Sequence, residues 1–115
     1  MSGITSHVLD TSLGKPAVGI AVRLELNTGD TNSPNWIAIG SGKTNDDGRV
    51  PELANRSIEP GSYRLSFLVA DYFSAQLVDS FYPVVRIEFV VGDAKQHYHV
   101  PLLLSPFGYS TYRGS

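Results

Sequence analysis

Short apolar runs between closely spaced turn signals constrain the fold of this chain more than any other feature. Turn-forming Gly, Pro, Asn and Asp interrupt the chain at residues 13–16, 27–35, 45–48, 59–61, 92–95 and 105–108. The runs between them are rich in Val, Ile, Leu, Phe and Tyr, and they predict strands near 4–10, 18–27, 36–43, 49–53, 62–69, 84–91, 97–104 and 108–113. This pattern predicts an all-β sandwich in which two four-stranded sheets face a shared core.

One segment departs from the strand pattern. Asp71 is placed to cap residues 72–77, where the pairs Phe73–Leu77 and Tyr72–Ala75 have helical spacing. We therefore expect one short surface helix. The chain of 115 residues contains no internal repeat or linker, so residues 1–115 are predicted to form a single domain.

Composition excludes several classes of function. The net charge is −2 with no basic stripe, so nucleic-acid binding is not expected. The chain has no cysteine, which excludes a thiol nucleophile and Cys-ligated zinc. No apolar run reaches the ~20 residues that span a membrane. Neither a signal peptide nor a C-terminal Ser-Lys-Leu is visible, and a cytoplasmic location is expected, with peroxisomal and periplasmic locations left open.

The three histidines lie on predicted strands, where side chains alternate between the two faces. Tyr98 and the apolar residues after it at every second position form one face, so His97 and His99 share the opposite face. The same alternation directs His7 away from the core. A zinc site built from the three histidines is an alternative reading, which the lack of a matching Cys or carboxylate disfavours.

Four segments together resemble 5-hydroxyisourate hydrolases, the enzymatic relatives of transthyretin. They are residues 4–11 (Ile-Thr-Ser-His-Val-Leu-Asp-Thr), 14–17 (Gly-Lys-Pro-Ala), 44–49 (Thr-Asn-Asp-Asp-Gly-Arg) and 97–115, which ends in Tyr-Arg-Gly-Ser. Transthyretin shares the Leu-Ser-Pro-aromatic and Tyr-Ser-Thr stretches. It lacks the residues that correspond to His7, Arg49, His99 and the Tyr-Arg-Gly-Ser ending.

The resemblance implies a transthyretin-like (prealbumin-like) sandwich that hydrolyses 5-hydroxyisourate to 2-oxo-4-hydroxy-4-carboxy-5-ureidoimidazoline in urate degradation to allantoin. It implies a purine-derived substrate, no metal or other cofactor, no nucleic-acid or membrane partner, and a homotetramer that is a dimer of dimers. The implied catalytic residues are His7, Arg49 and His99. The residues implied to shape the substrate pocket are Tyr112, Arg113, Gly114 and Ser115.

Two points stay open at the level of sequence. Either His7 or His99 could activate water, and His97 is expected to have a structural or supporting role. The rival functions are a carrier of a small aromatic ligand and a purely structural sandwich. A carrier does not need two proton-transfer groups, and a structural domain leaves the Tyr-Arg-Gly-Ser ending without a purpose.

Overall fold

A computed structural model of the protein describes residues 3–54 and 56–115. Within these residues the chain forms nine strands and one helix. In chain order they are β1 (Gly3–Asp10), β2 (Lys15–Pro16), β3 (Ala21–Asn27), β4 (Trp36–Lys43), β5 (Arg49–Val50), β6 (Gly61–Phe67), α1 (Val69–Ser74), β7 (Val85–Val91), β8 (His97–Ser105) and β9 (Gly108–Thr111).

The strands form two sheets, which confirms the predicted sandwich. The first sheet has the order β2-β1-β8-β9, with β5 also paired to β1, and the second has the order β4-β3-β6-β7. In the described part of the chain the first sheet thus has five strands rather than the predicted four, because Lys15 and Pro16 pair with Asp10 and Leu9. Strands β1 and β8 run parallel over eight residue pairs, and the other named pairs are antiparallel.

The core lies between the sheets and is filled by every second residue of the long strands. In β1 the side chains of Ile4 and Val8 are buried, and in β8 so are Val100, Leu102 and Leu104. Burying one such aliphatic side chain stabilises the fold by about 1.5–3 kcal/mol. A change of strand register that exposed these side chains would therefore be strongly destabilising. The predicted core face of β8 is confirmed. The intervening residues of β1 are partly exposed, and among those of β8 His97 and His99 are at least partly exposed, whereas Pro101 is buried.

The helix begins one turn earlier than predicted. It starts at Val69, its N-cap is Leu68, and no side chain caps it, so the predicted cap by Asp71 is wrong. Val69 and Phe73 are buried at a spacing of four residues, and their burial rather than a cap determines where the helix starts. In the described residues no helix is long and apolar enough to cross a membrane.

The carboxylate of Asp10 joins three parts of the fold. It accepts hydrogen bonds from the backbone amide and hydroxyl of Ser12, from the amide of Leu13, and from the hydroxyl of Tyr72 in α1 at 2.7 Å. Burial raises the pKa of Asp10, but these hydrogen bonds outweigh burial and hold the pKa below 3.8. Asp10 therefore stabilises the fold at neutral pH, and this contribution is lost only as the pH falls through about 4 and below.

Tyr72→Phe removes the hydrogen bond that ties α1 to Asp10. Hydrogen bonds to charged groups contribute about 1.5–3 kcal/mol, so we expect the free energy of unfolding to fall by about 2 kcal/mol. Denaturant unfolding measures the change, and Tyr82→Phe is the control for loss of a hydroxyl from another partly buried tyrosine. If both variants lost the same free energy of unfolding, the hydrogen bond from Tyr72 to Asp10 would contribute no more than any other tyrosine hydroxyl, which would contradict the prediction.

Candidate functional site

The outer face of the first sheet brings together the three residues predicted to be catalytic. His7 of β1 lies opposite Arg49 of β5, and Thr5 of β1 lies opposite His99 of β8. In an antiparallel pair such as β1 and β5, the Cβ atoms of directly opposed residues lie about 4.5–5.5 Å apart. Since β5 and β8 flank β1 on its two sides, His7, Arg49 and His99 occupy one continuous patch, with His7 and His99 half-buried and Arg49 exposed.

A tight turn places Arg49 beside β1. The side-chain oxygen of Asn45 accepts hydrogen bonds from the amides of Asp47 and Arg49, and the amide of Val8 donates to the carbonyl of Gly48 at 2.7 Å. Gly48 has a positive φ of 76°, and a Cβ there would lie 2.4 Å from the Val8 carbonyl oxygen. Only glycine therefore lets the turn approach β1 this closely.

The imidazole of His99 is held from both sides. Its Nδ1 lies 2.8 Å from the hydroxyl oxygen of Thr5. On the opposite edge of the ring, a Cβ at Gly114 would come within 2.5 Å of Cδ2, and the Gly114 amide donates to the His99 carbonyl at 2.8 Å. Neither contact uses Nε2, which lies on the part of the ring farthest from the backbone, and His99 is half-buried.

The surroundings of His99 favour its neutral form. Burial lowers the pKa of His99, and the nearby positive charges of Arg49, His7 and His97 lower it further. A histidine whose pKa lies below 6.5 is unprotonated at neutral pH. Nε2 of neutral His99 is therefore able to accept a proton when the ring carries its hydrogen on Nδ1.

The structure adds Thr5 to the site, for which no role is predicted from the sequence. The Thr5 hydroxyl oxygen lies 2.9 Å from Nε2 of His97 as well as 2.8 Å from Nδ1 of His99. The strand alternation that directs His7 outward also places Thr5 on the same face, two residues earlier. The alternation therefore indicates that Thr5 faces outward, but it does not show which residues of β8 lie opposite Thr5.

The four C-terminal residues are placed differently from one another. Gly114 contacts His99, and Tyr112 is exposed. The guanidinium of Arg113 instead stacks 4.5 Å from the ring centre of Tyr98 and donates to the side-chain oxygen of Gln96 at 2.9 Å. Arg113 thus fastens the chain end to the start of β8, while Ser115 lies exposed beyond it.

A cavity of about 650 Å³ opens next to this patch, between the starts of β1 and β8 and residues 51–54 and 56–58. Thr5 and His97 are among its lining residues, whereas His7, Arg49 and His99 are not. Across the described ranges of the chain, no group of three or more His, Asp or Glu residues is arranged to hold a metal ion. The three residues predicted to be catalytic therefore lie on an open face beside the cavity.

Comparison with known proteins now identifies the family. The model of the HIUase/Transthyretin family matches residues 4–114. The chain belongs to this family. A 5-hydroxyisourate hydrolase of Deinococcus radiodurans is 48% identical, and the match covers 98% of this chain and 96% of that protein.

Solved structures of family members have the same backbone. The 5-hydroxyisourate hydrolase of Klebsiella pneumoniae is 33% identical, with a TM-score of 0.83 over 99% of this chain and 100% of that one. Transthyretin of Sparus aurata is 28% identical, with a TM-score of 0.90 over 99% of this chain and 97% of that one. Hydrolase and transthyretin in this family are thus not distinguished by backbone similarity, and side chains must decide between them.

Gly114→Ala tests whether the chain end positions His99. The added methyl group overlaps Cδ2, so we expect the ring to move and the Thr5–His99 distance to exceed 3.5 Å in a crystal structure. Gly108→Ala is the matched control in the same segment, because its Cβ would meet Ser105 Oγ at an ordinary 3.7 Å. A displaced chain end with His99 unmoved would contradict the prediction.

Proposed function

We propose that this protein is a 5-hydroxyisourate hydrolase, which opens the ring of 5-hydroxyisourate to form 2-oxo-4-hydroxy-4-carboxy-5-ureidoimidazoline during urate degradation. The observation that carries the proposal is the patch of His7, Arg49 and His99 on one outer sheet face. It is supported by family membership and by the names of close relatives across nearly the full chain.

The reaction requires groups that this patch supplies. Water must attack a ring carbonyl, a C–N bond must break, and a carboxylate forms. A base takes the proton from water, an acid returns a proton to the leaving nitrogen, and a positive charge stabilises the developing oxyanion. Two histidines and one arginine meet these needs with groups of the chain alone, so the proposed reaction uses no metal or organic cofactor.

We assign the base to His99. Its lowered pKa keeps it neutral at neutral pH, and neither its contact with Thr5 nor its contact with Gly114 uses Nε2. His7 is then the proton donor to the leaving nitrogen. Arg49 carries a permanent charge and a planar set of donors, which suit a carbonyl edge or an anionic oxygen.

The chain end completes the proposed substrate pocket. Gly114 lies against one side of the His99 ring. Tyr112 and Ser115 are near Gly114 in the sequence and are exposed. Arg113 contributes by anchoring this segment through Tyr98 and Gln96. In this assignment the four residues shape the pocket and do not transfer protons.

A homotetramer, arranged as a dimer of dimers, is part of the proposal. His7, Arg49 and His99 lie on an open face that does not by itself exclude water. Water exclusion strengthens the electrostatic interactions on which such a site depends. A second sheet face placed over the patch supplies that exclusion, and facing subunits of a tetramer provide it. The single domain over residues 1–115 and the cytoplasmic location stay predictions from the sequence.

A carrier of a small aromatic ligand is the second candidate, because transthyretin of Sparus aurata has the same backbone. The two histidines and the arginine disfavour it. An apolar ligand site has no need of two proton-transfer groups and a permanent charge on the same face.

The function is tested by generating 5-hydroxyisourate from urate with uricase and following its ultraviolet absorbance. We expect the protein to accelerate the decay well beyond the spontaneous rate. His99→Ala and Arg49→Ala should lower the rate by about 10²–10⁴-fold, the usual contribution of a positioned catalytic group. Arg86→Ala, which removes an exposed arginine from the second sheet, is the control. No acceleration by the pure protein would overturn the proposed function.

Dissociation of the tetramer into dimers should abolish turnover, because each patch then faces solvent. Specific activity is measured over a dilution series together with the mass distribution of the same samples. The two transitions should coincide. Dimers that retain full specific activity would refute a site completed by facing subunits.

A further inference from the structure

The Thr5 hydroxyl lies between two imidazoles. Its oxygen is 2.9 Å from Nε2 of His97 and 2.8 Å from Nδ1 of His99, and both distances are those of good hydrogen bonds. The arrangement follows from the strand register, because Thr5 pairs directly with His99 across the parallel β1–β8 ladder. His97 precedes His99 by two residues and so shares its face.

A hydroxyl group has one hydrogen to donate and two lone pairs that accept. Thr5 can donate to only one of the two ring nitrogens, and when it does so it accepts from the other. If Thr5 donates to Nδ1 of His99, then His97 carries hydrogen on Nε2, and neutral His99 carries its own hydrogen on Nε2. If Thr5 donates to Nε2 of His97, then both neutral rings carry hydrogen on Nδ1.

We propose that the Thr5 hydroxyl forces the neutral rings of His97 and His99 to share one tautomer, which makes Thr5 and His97 positioning residues for His99. The proposal rests on the proposed function for its consequence in catalysis. The sharing of a tautomer itself is a property of the free protein.

The two shared forms give His99 opposite abilities toward the substrate side. With hydrogen on Nδ1, Nε2 has a lone pair and can accept a proton from water. With hydrogen on Nε2, the same edge donates. The Thr5 bridge therefore determines whether His99 acts as an acceptor or as a donor.

The bridge also provides a way to change from one form to the other. After Nε2 of His99 has taken a proton, the Nδ1 hydrogen passes to the Thr5 oxygen while the Thr5 hydrogen passes to Nε2 of His97. His99 is then neutral and carries hydrogen on Nε2, and the positive charge is on His97. No hydrogen is gained or lost by Thr5, and His97 is exposed and can release the proton to solvent.

Nitrogen-15 NMR of the histidine side chains tests the proposal in the intact protein. The measurement is made near pH 9, more than two units above the ordinary histidine pKa of about 6.5, so that the tautomers of neutral imidazole rings are observed. We expect His97 and His99 to show the same tautomer in the wild type. Opposite tautomers in the wild type would overturn the proposal.

Thr5→Val removes the hydroxyl and keeps the shape of the side chain. We expect the two rings to lose their common tautomer. We also expect kcat to fall about tenfold or more, because His99 with its hydrogen on Nε2 cannot act as a base and loses part of the ~10²–10⁴-fold contribution of a general base. Thr5→Ser restores the hydroxyl and should restore both readouts. A Thr5→Val protein with an unchanged tautomer pair and unchanged kcat would also overturn the proposal.

The control variant is Thr28→Val, which removes a threonine hydroxyl from an exposed turn of the second sheet, where it contacts Asn35. Its histidine tautomers and its kcat should match the wild type. If the proposed function is wrong, the wild type will show no hydrolase activity. The tautomer measurement does not depend on activity, so it still tests whether Thr5 couples the two rings.

Discussion

The parallel pairing of β1 with β8 is the constraint on which the site depends. Its register places Thr5 opposite His99, and it aligns the outward residues of one strand with those of the other. A slip of one residue would turn the histidines into the core and bring Ile4 and Val8 to the surface. The apolar side chains between the sheets oppose such a slip, because they are buried almost completely. Core packing and the geometry of the proposed site are thus two results of the same register.

The short strand β5 attaches to this ladder through backbone contacts. Gly48 and Asn45 let the turn come close enough for Val8 to bind the Gly48 carbonyl, and Arg49 follows directly. The arginine is thereby brought next to His7 without a buried side chain of its own. Its charge then acts on His99 across β1 and helps to keep that imidazole neutral. A local turn motif in this way influences the chemistry two strands away.

Much of this could be predicted from sequence, because alternation along a strand is a strong local signal. It placed His7, His97 and His99 on outer faces, and the two-sheet sandwich with one short helix is confirmed. The start of the helix was missed, since the burial of Val69 and Phe73 outweighed the capping tendency of Asp71. The position of Thr5 between two imidazoles could not be predicted from pattern, because it depends on which residue of β8 lies opposite. The stacking of Arg113 on Tyr98 depends on the path of the chain end, which no local pattern encodes.

The contact between Gly114 and His99 has a consequence for the thermal behaviour of the protein. The chain end is joined to β8 near His99 by one backbone hydrogen bond and is anchored further by Arg113. Chain ends of this kind open locally at a free energy well below that of global unfolding. Each opening removes the contact between Gly114 and the His99 ring while the sandwich stays folded. Heat inactivation should therefore be reversible at first and precede the loss of secondary structure, so that the enzyme has an activity transition of its own.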